Sequence, residues 1–261
     1  MIISHKHKFI FIGLPFSASS AISKELHLQY KGEPFLRKHS LYHELDKCLI
    51  KKKREYFVFA VLRNPMDIAI TVYEKMRVNS KGNFNNSKLY VENGGYITRE
   101  QRRAFNFIHE NNATFQQYFK EFFQIPYDNL ASLTIHNCDY TIRYENIAED
   151  YLTALNKTGV HNPRPLPFAN QTAGKKKDIL EYYTDDVRDK AIFIFGPFLE
   201  KYNYSFPESW GEVKVSIKSK ILFMLAAFFR RLKQKYFNKN SIRSGSKGSI
   251  YGQMQRKKRT N

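Results

Sequence analysis

The sequence predicts an α/β fold of three layers, with a central, mostly parallel sheet flanked by helices, and three observations predict it. Residues 8–22 (KFIFIGLPFSASSAI) and 56–73 (YFVFAVLRNPMDIAITVY) are two copies of one pattern. Each is an almost unbroken apolar run of strand length, then a tight turn, then apolar residues at helical spacing, as when a strand buried on both faces leads into a helix. Two such copies place both turns at one end of one sheet. At 261 residues and 42% hydrophobic content, the chain is also long and apolar enough to bury a core of its own.

In the first copy, residues 9–12 show no polar alternation, and Gly13 and Pro15 end the run. Ser17, Ser19 and Ser20 then offer hydroxyls where a helix begins, with Ala21, Ile22, Leu26 and Tyr30 as its inward stripe. Two readings are open: the serines cap the helix, or its N–H groups and positive dipole end hold a phosphate or sulfate. In the second copy, Arg63 ends the strand, Asn64 caps, Pro65 takes the first helical position and Asp67 sits in the first turn. Thr71, four residues after Asp67, shares its helix face. A guanidinium at a strand end beside that helix suits a phosphate.

Between the copies, residues 32–45 (GEPFLRKHSLYHEL) form a loop leading to a short helix. The run Lys51, Lys52, Lys53, Arg54 reads as a solvated loop against the alternative of a nucleic-acid patch. Residues 79–95, rich in Asn, Gly and Ser, read as a loop long enough to be an acceptor-binding lid. Residues 98–124 turn helical, with a capping box at Thr98 and Gln101 and a phenylalanine stripe. Segments 133–136 and 140–144 read as short strands, and a helix over 147–158 stops at Gly159. Three prolines make 162–172 irregular. A closing helix within 182–204 is capped by Thr184 and bent at Gly196-Pro197.

The charge is lopsided. Of 43 Lys and Arg, 14 lie in positions 213–261, which hold no Asp or Glu, so the net +19 is mostly a property of that tail. Residues 214–237 read as a basic amphipathic helix with Ile217, Ile221, Leu225, Phe228, Leu232 and Tyr236 on one stripe. Its nine-residue apolar centre is too short to span a bilayer. An anionic membrane surface, the protein's own body and RNA are the three partners open to it. Residues 238–261 have the composition of a disordered tail. The expected organisation is therefore 1–212 as the α/β domain, 213–237 as the helix and 238–261 as the tail. Two distant cysteines, Cys48 and Cys138, lack metal-ligand spacing and suit a reducing compartment. With no evident leader, the expectation is a cytoplasmic protein, peripheral on the inner membrane face.

The ordered set of strand, P-x-S-x-S-S turn and helix, then strand and R-N-P-x-D-x-x-x-T-x-Y, resembles the sulfotransferases that use 3′-phosphoadenosine-5′-phosphosulfate (PAPS). Residues 140–147 (YTIRYENI), 165–174 (PLPFANQTAG), 181–186 (EYYTDD) and 198–207 (FLEKYNYSFP) extend the similarity, toward carbohydrate-type members, over roughly residues 1–210. The resemblance implies a P-loop-like fold and sulfuryl transfer from PAPS to a hydroxyl of a glycan or glycolipid, with no metal. It implies that Pro15, Ser17, Ala18, Ser19, Ser20 and Ala21 cradle the 5′-phosphosulfate, and that Arg63 and Thr71 hold the 3′-phosphate. Asn170 and Thr172 then pack over the nucleotide, with Lys175, Lys176 and Lys177 within reach of its phosphates.

A Lys-His pair near this place in carbohydrate-type members resembles Lys38 and His39. An imidazole suits proton abstraction at neutral pH, so His39 is the candidate general base, with His43 and Glu44 in reserve. Two other readings of His39 stay open: a cation on the 5′-phosphosulfate, or a cap on the helix after Ser40.

In one respect the chain departs from the family. Phe16 stands where members carry a lysine after the turn proline, a cation that offsets charge on the leaving phosphate oxygen. Lys24, Lys38 and Lys175–Lys177 are the candidates to replace it; without one, the chain is a catalytically impaired nucleotide-binding relative acting as a membrane-associated scaffold. An ATP-hydrolysing P-loop is excluded, because residues 13–20 lack the second glycine and the lysine of G-x-x-x-x-G-K-[ST].

Overall fold

A computed structural model describes residues 1–48, 55–167 and 172–237, with only the backbone described at 46–48 and 234–237. In chain order the elements are β1 (Ile2–Ser4), β2 (Phe9–Ile12), α1 (Ser19–Gln29), β3 (Glu33–Pro34), α2 (Tyr42–Cys48), β4 (Phe57–Leu62), α3 (Pro65–Arg77), α4 (Arg99–Glu110), α5 (Phe115–Phe122), β5 (Tyr140–Arg143), α6 (Ile147–Lys157), α7 (Asp185–Lys201) and α8 (Ile217–Phe237). They sort into two compact units. The first holds the described residues of 1–63, 129–170 and 231–237, and the second those of 64–128 and 171–230. The expected chain positions of Asn170, of residues 51–54 and of the tail 238–261 lie outside the described residues.

The first unit is built on a five-stranded sheet of order β3-β1-β2-β4-β5. β2, β4 and β5 run parallel, and β2 and β4 carry the uniformly apolar sequences of strands covered on both faces. β1 is antiparallel to both β2 and β3, so the sheet is mixed and the expectation of a mostly parallel one is corrected. The cause is the N-terminal Ile2-Ile3 pair, which turns back through residues 5–8 and pairs with β2 as a hairpin. Phe9, Phe11, Phe59, Val61 and Ile142 form one face, on which Ile22 and Leu26 of α1 and Tyr151 and Leu155 of α6 pack. Ile10, Ile12, Val58 and Ala60, pointing the other way, are buried too.

Residues 130–137 are not a strand. Asn129 accepts from the Ala131 N–H at 2.8 Å and starts two 3-10 turns, Leu130–Leu133 and Ile135–Asn137, before β5. Gly159, at φ 77°, follows α6 as expected. Cys138 is a free thiol whose pKa burial pushes up to about 12.

The second unit is helical around an aromatic core of Phe115, Tyr118, Phe119, Tyr183 and Phe195. Asn64 accepts from the Met66 N–H at 2.9 Å, and Pro65 opens α3, as the sequence dictates. The Thr98–Gln101 capping box opens α4. The helical stretch then breaks at residues 111–114, where a second capping box, Thr114–Gln117, opens α5. The supposed lid is tied down: Phe84 is buried and stacks on Phe105, Arg102 lies 4.2 Å over the Tyr90 ring, and Arg102 pairs with Glu92.

α7 is one helix through Pro197. A proline supplies no N–H to the carbonyl four residues back, and that carbonyl, Phe193 O, accepts instead from the Ser219 hydroxyl of α8. Phe223 and Ala227 are buried on the same side of α8, and Arg230 pairs with Asp128 at 3.0 Å. Residues 219–230 therefore dock on the unit's own body.

Candidate functional site

The turn after β2 is held in a conformation its residue types do not favour. Phe16 (φ 61°) and Ala18 (φ 52°) are both left-handed, which costs a non-glycine residue about 1–2 kcal/mol. The Ser17 hydroxyl faces inward and donates to Leu14 O at 2.8 Å. Ala18 precedes α1 without any side-chain cap, so the serines do not cap the helix in the expected way. The first N–H groups of a helix have no partner within it, and without a side-chain cap such a helix start suits an anion.

Two cations converge on this turn. Arg63, buried at the end of β4, donates from Nη1 to Phe16 O at 2.6 Å, and its guanidinium lies 4.0 Å over the Tyr144 ring. The parallel register explains it. Leu62 is opposite Arg143, so β4 and β5 end together and Arg63 and Tyr144 leave the sheet side by side, while β2 ends at Ile12 opposite Ala60. Lys38 is the second cation, with Nζ donating to Ser20 Oγ at 2.8 Å.

His39 follows Lys38 and meets the same turn from above β2: its Nδ1 lies 2.6 Å from Gly13 O. A carbonyl only accepts, so Nδ1 carries the proton and Nε2 is the acceptor of the ring. Burial, with the charge of Lys38 adding to it and the Gly13 carbonyl opposing it, pushes the His39 pKa down to about 4. The ring is neutral throughout the physiological range. Gly13 permits this approach, since a Cβ there would sit 3.0 Å from Ser19 Cβ and 3.3 Å from Lys38 O.

Glu44 fixes the Lys38-His39 loop. Its carboxylate accepts from Arg37 Nη2 at 2.7 Å, from Leu41 N–H at 2.9 Å and from Ser40 Oγ at 3.1 Å. Burial alone would raise its pKa, but these donors outweigh burial and hold it below the usual value. Glu44 is therefore a brace for the loop. The Ser40 hydroxyl accepts from Arg37 N–H, so the residue after His39 serves the same purpose.

Of the remaining predicted residues, Thr71, Thr172, Lys175 and Lys176 belong to the second unit. Thr71 is buried on α3. Asp67, one turn earlier, forms an ion pair with Lys175, and Lys176 pairs with Glu181 at 2.6 Å. Thr172, half-buried, begins the segment that Gly174 carries past Arg77 with φ 75°. Tyr182 anchors that segment by donating to Glu74 at 2.8 Å and accepting from the Lys176 N–H. Lys24 is exposed on α1.

The first unit thus brings together Pro15, Ser17, Ala18, Ser19, Ser20, Ala21, Lys38, His39 and Arg63. Sequence reasoning missed Tyr144, although the pairing of β4 with β5 was enough to find it. It also left Gly13 as a mere strand breaker. Among the described residues, no group of three or more His, Cys, Asp or Glu is placed to hold a metal ion. Comparison with protein-family models, curated proteins and solved structures gave no match.

Proposed function

We propose that this protein transfers a sulfuryl group from PAPS to a hydroxyl of a glycan or glycolipid. A three-layer, P-loop-like architecture is part of that reading. The observation that carries it is the Arg63 contact with Phe16 O, which joins the two strand-end turns into one cationic seat. In this reading the turn from Pro15 to Ala21 receives the 5′ end of the donor, while Arg63 recognises the 3′-phosphate. Lys38 takes the part of the cation absent at Phe16, since its ammonium already reaches Ser20 at the start of α1.

As the acceptor oxygen bonds to sulfur, its proton passes to Nε2 of His39. The bond from sulfur to the bridging oxygen breaks, and its electron pair stays on the 5′-phosphate, where Lys38 offsets the charge. The low proton affinity of His39 keeps the base ready, and the negative charge of the donor favours the imidazolium once it forms.

The test is transfer of radiolabelled sulfate from PAPS to a panel of glycan and glycolipid hydroxyls. Wild type is expected to label at least one acceptor, and Lys38→Gln to lose that labelling while still binding adenosine 3′,5′-bisphosphate. Binding by wild type with no transfer to any acceptor would favour the impaired relative, in which nothing stands in for the lysine missing at Phe16. Absence of binding removes both readings.

A further inference from the structure

The docking of α8 leaves its broader apolar face outward. Ser219, Phe223, Ala227 and Arg230 form the seam against the body of the second unit. At about 100° per residue, Ile217, Ile221, Met224, Leu225, Phe228 and Phe229 occupy an arc of about 140° centred opposite that seam. All six are exposed, Ile217 at 76% and Phe229 at 64%. Lys218 lies near one edge of the arc and Lys220 beyond the other, and Lys220 is steered by Glu200 at 2.8 Å. A folded domain seldom leaves so many large apolar side chains contiguous in water without a partner for them.

Charge identifies the partner. Positions 213–261 carry 14 Lys or Arg and no Asp or Glu, so a second copy would bring like charge against like charge with no carboxylate from this segment to pair it. RNA would be met by apolar side chains at the centre of the face and by lysines only at its margins. An anionic bilayer satisfies both features, because acyl chains take the apolar arc and lipid headgroups take the flanking cations. Among the described residues no helix is long and apolar enough to cross a membrane, which leaves α8 to lie in the plane of the surface.

We propose that the outward face of α8 is an interfacial anchor, which seats the protein on an anionic lipid surface by inserting Ile217, Ile221, Met224, Leu225, Phe228 and Phe229 into the acyl-chain boundary beneath the headgroups. This inference is independent of the transferase reading and needs no donor or acceptor.

The experiment is co-sedimentation of the full chain with phosphatidylcholine vesicles, with and without phosphatidylglycerol. Wild type is expected to bind the mixed vesicles and to bind neutral ones on the order of tenfold less. Ile221→Glu with Phe228→Glu should weaken binding to the mixed vesicles by on the order of a hundredfold. Both positions face solvent, so circular dichroism and the thermal transition should match wild type. As a control, Lys247→Gln leaves the face intact and should weaken binding by less than about tenfold. Equal binding by the double variant would reduce the attraction to bare electrostatics and overturn the proposal. So would vesicle indifference with a dimer in light scattering that the double variant disrupts, or vesicle indifference with salt-sensitive binding to RNA.

Discussion

Arg63 and Lys38 of the first unit meet different neighbours from Lys175 and Lys176 of the second. In the first, Arg63 meets a carbonyl and an aromatic face, and Lys38 meets a hydroxyl. In the second, Lys175 meets Asp67 and Lys176 meets Glu181, so each would have to give up a carboxylate before holding a phosphate. Sequence alone ranked all four together, as cations near one nucleotide. The carboxylates beside Lys175 and Lys176 rank those two last, and substitution can test the ranking from its strongest member to its weakest.

Arg63→Ala should show the largest effect. It removes a charge-assisted donor and the brace of a strained turn at once, and is expected to weaken adenosine 3′,5′-bisphosphate by about 4 kcal/mol, roughly a thousandfold, in calorimetric titration. Lys38→Gln should come next. Its turnover is expected to fall on the order of a hundredfold with little change in bisphosphate affinity. Phe16→Lys in that background should recover most of the rate, which would identify the two positions as alternative sources of one cation.

His39→Gln is expected to cost on the order of a hundredfold in turnover and to spare binding. It also carries a stability signature. The unfolded imidazole takes up its proton near pH 6.5, whereas the folded one does so only near 4. In wild type, stability should therefore decline as pH falls between those values, by up to about 3 kcal/mol, and chemical denaturation of His39→Gln should lack that decline. Lys175→Gln and Lys176→Gln should have the smallest effect, less than about threefold each on bisphosphate affinity, because Asp67 and Glu181 already match their cations.

What the sequence disclosed, and what it hid, divides along the range of the interactions. The Asn64 cap, the Pro65 start of α3 and the Thr98–Gln101 box are local, and each was readable from residues a few positions apart. The second box at Thr114 and Gln117 is as local, but the phenylalanine periodicity running across it masked the break between α4 and α5. The β1–β2 hairpin was hidden for a different reason: its turn puts Lys8 at φ 50°, a conformation ordinarily signalled by Gly or Asn. Phe16, Ala18 and Leu36 conceal the shape of the site in the same way. The pairing of Asp67 with Lys175 joins residues 108 positions apart, and no spacing rule reaches that far. Arg63 was singled out from its place at a strand end and His39 from the family resemblance, while their contacts with Phe16 O and Gly13 O needed the fold.

The most direct measurement is calorimetric titration of adenosine 3′,5′-bisphosphate into wild type, Arg63→Ala and Lys175→Gln under one set of conditions. The account predicts tight binding by wild type and Lys175→Gln and its loss in Arg63→Ala, with all three proteins melting as folded domains. Binding by Arg63→Ala equal to wild type, or a collapse in Lys175→Gln alone, would contradict it.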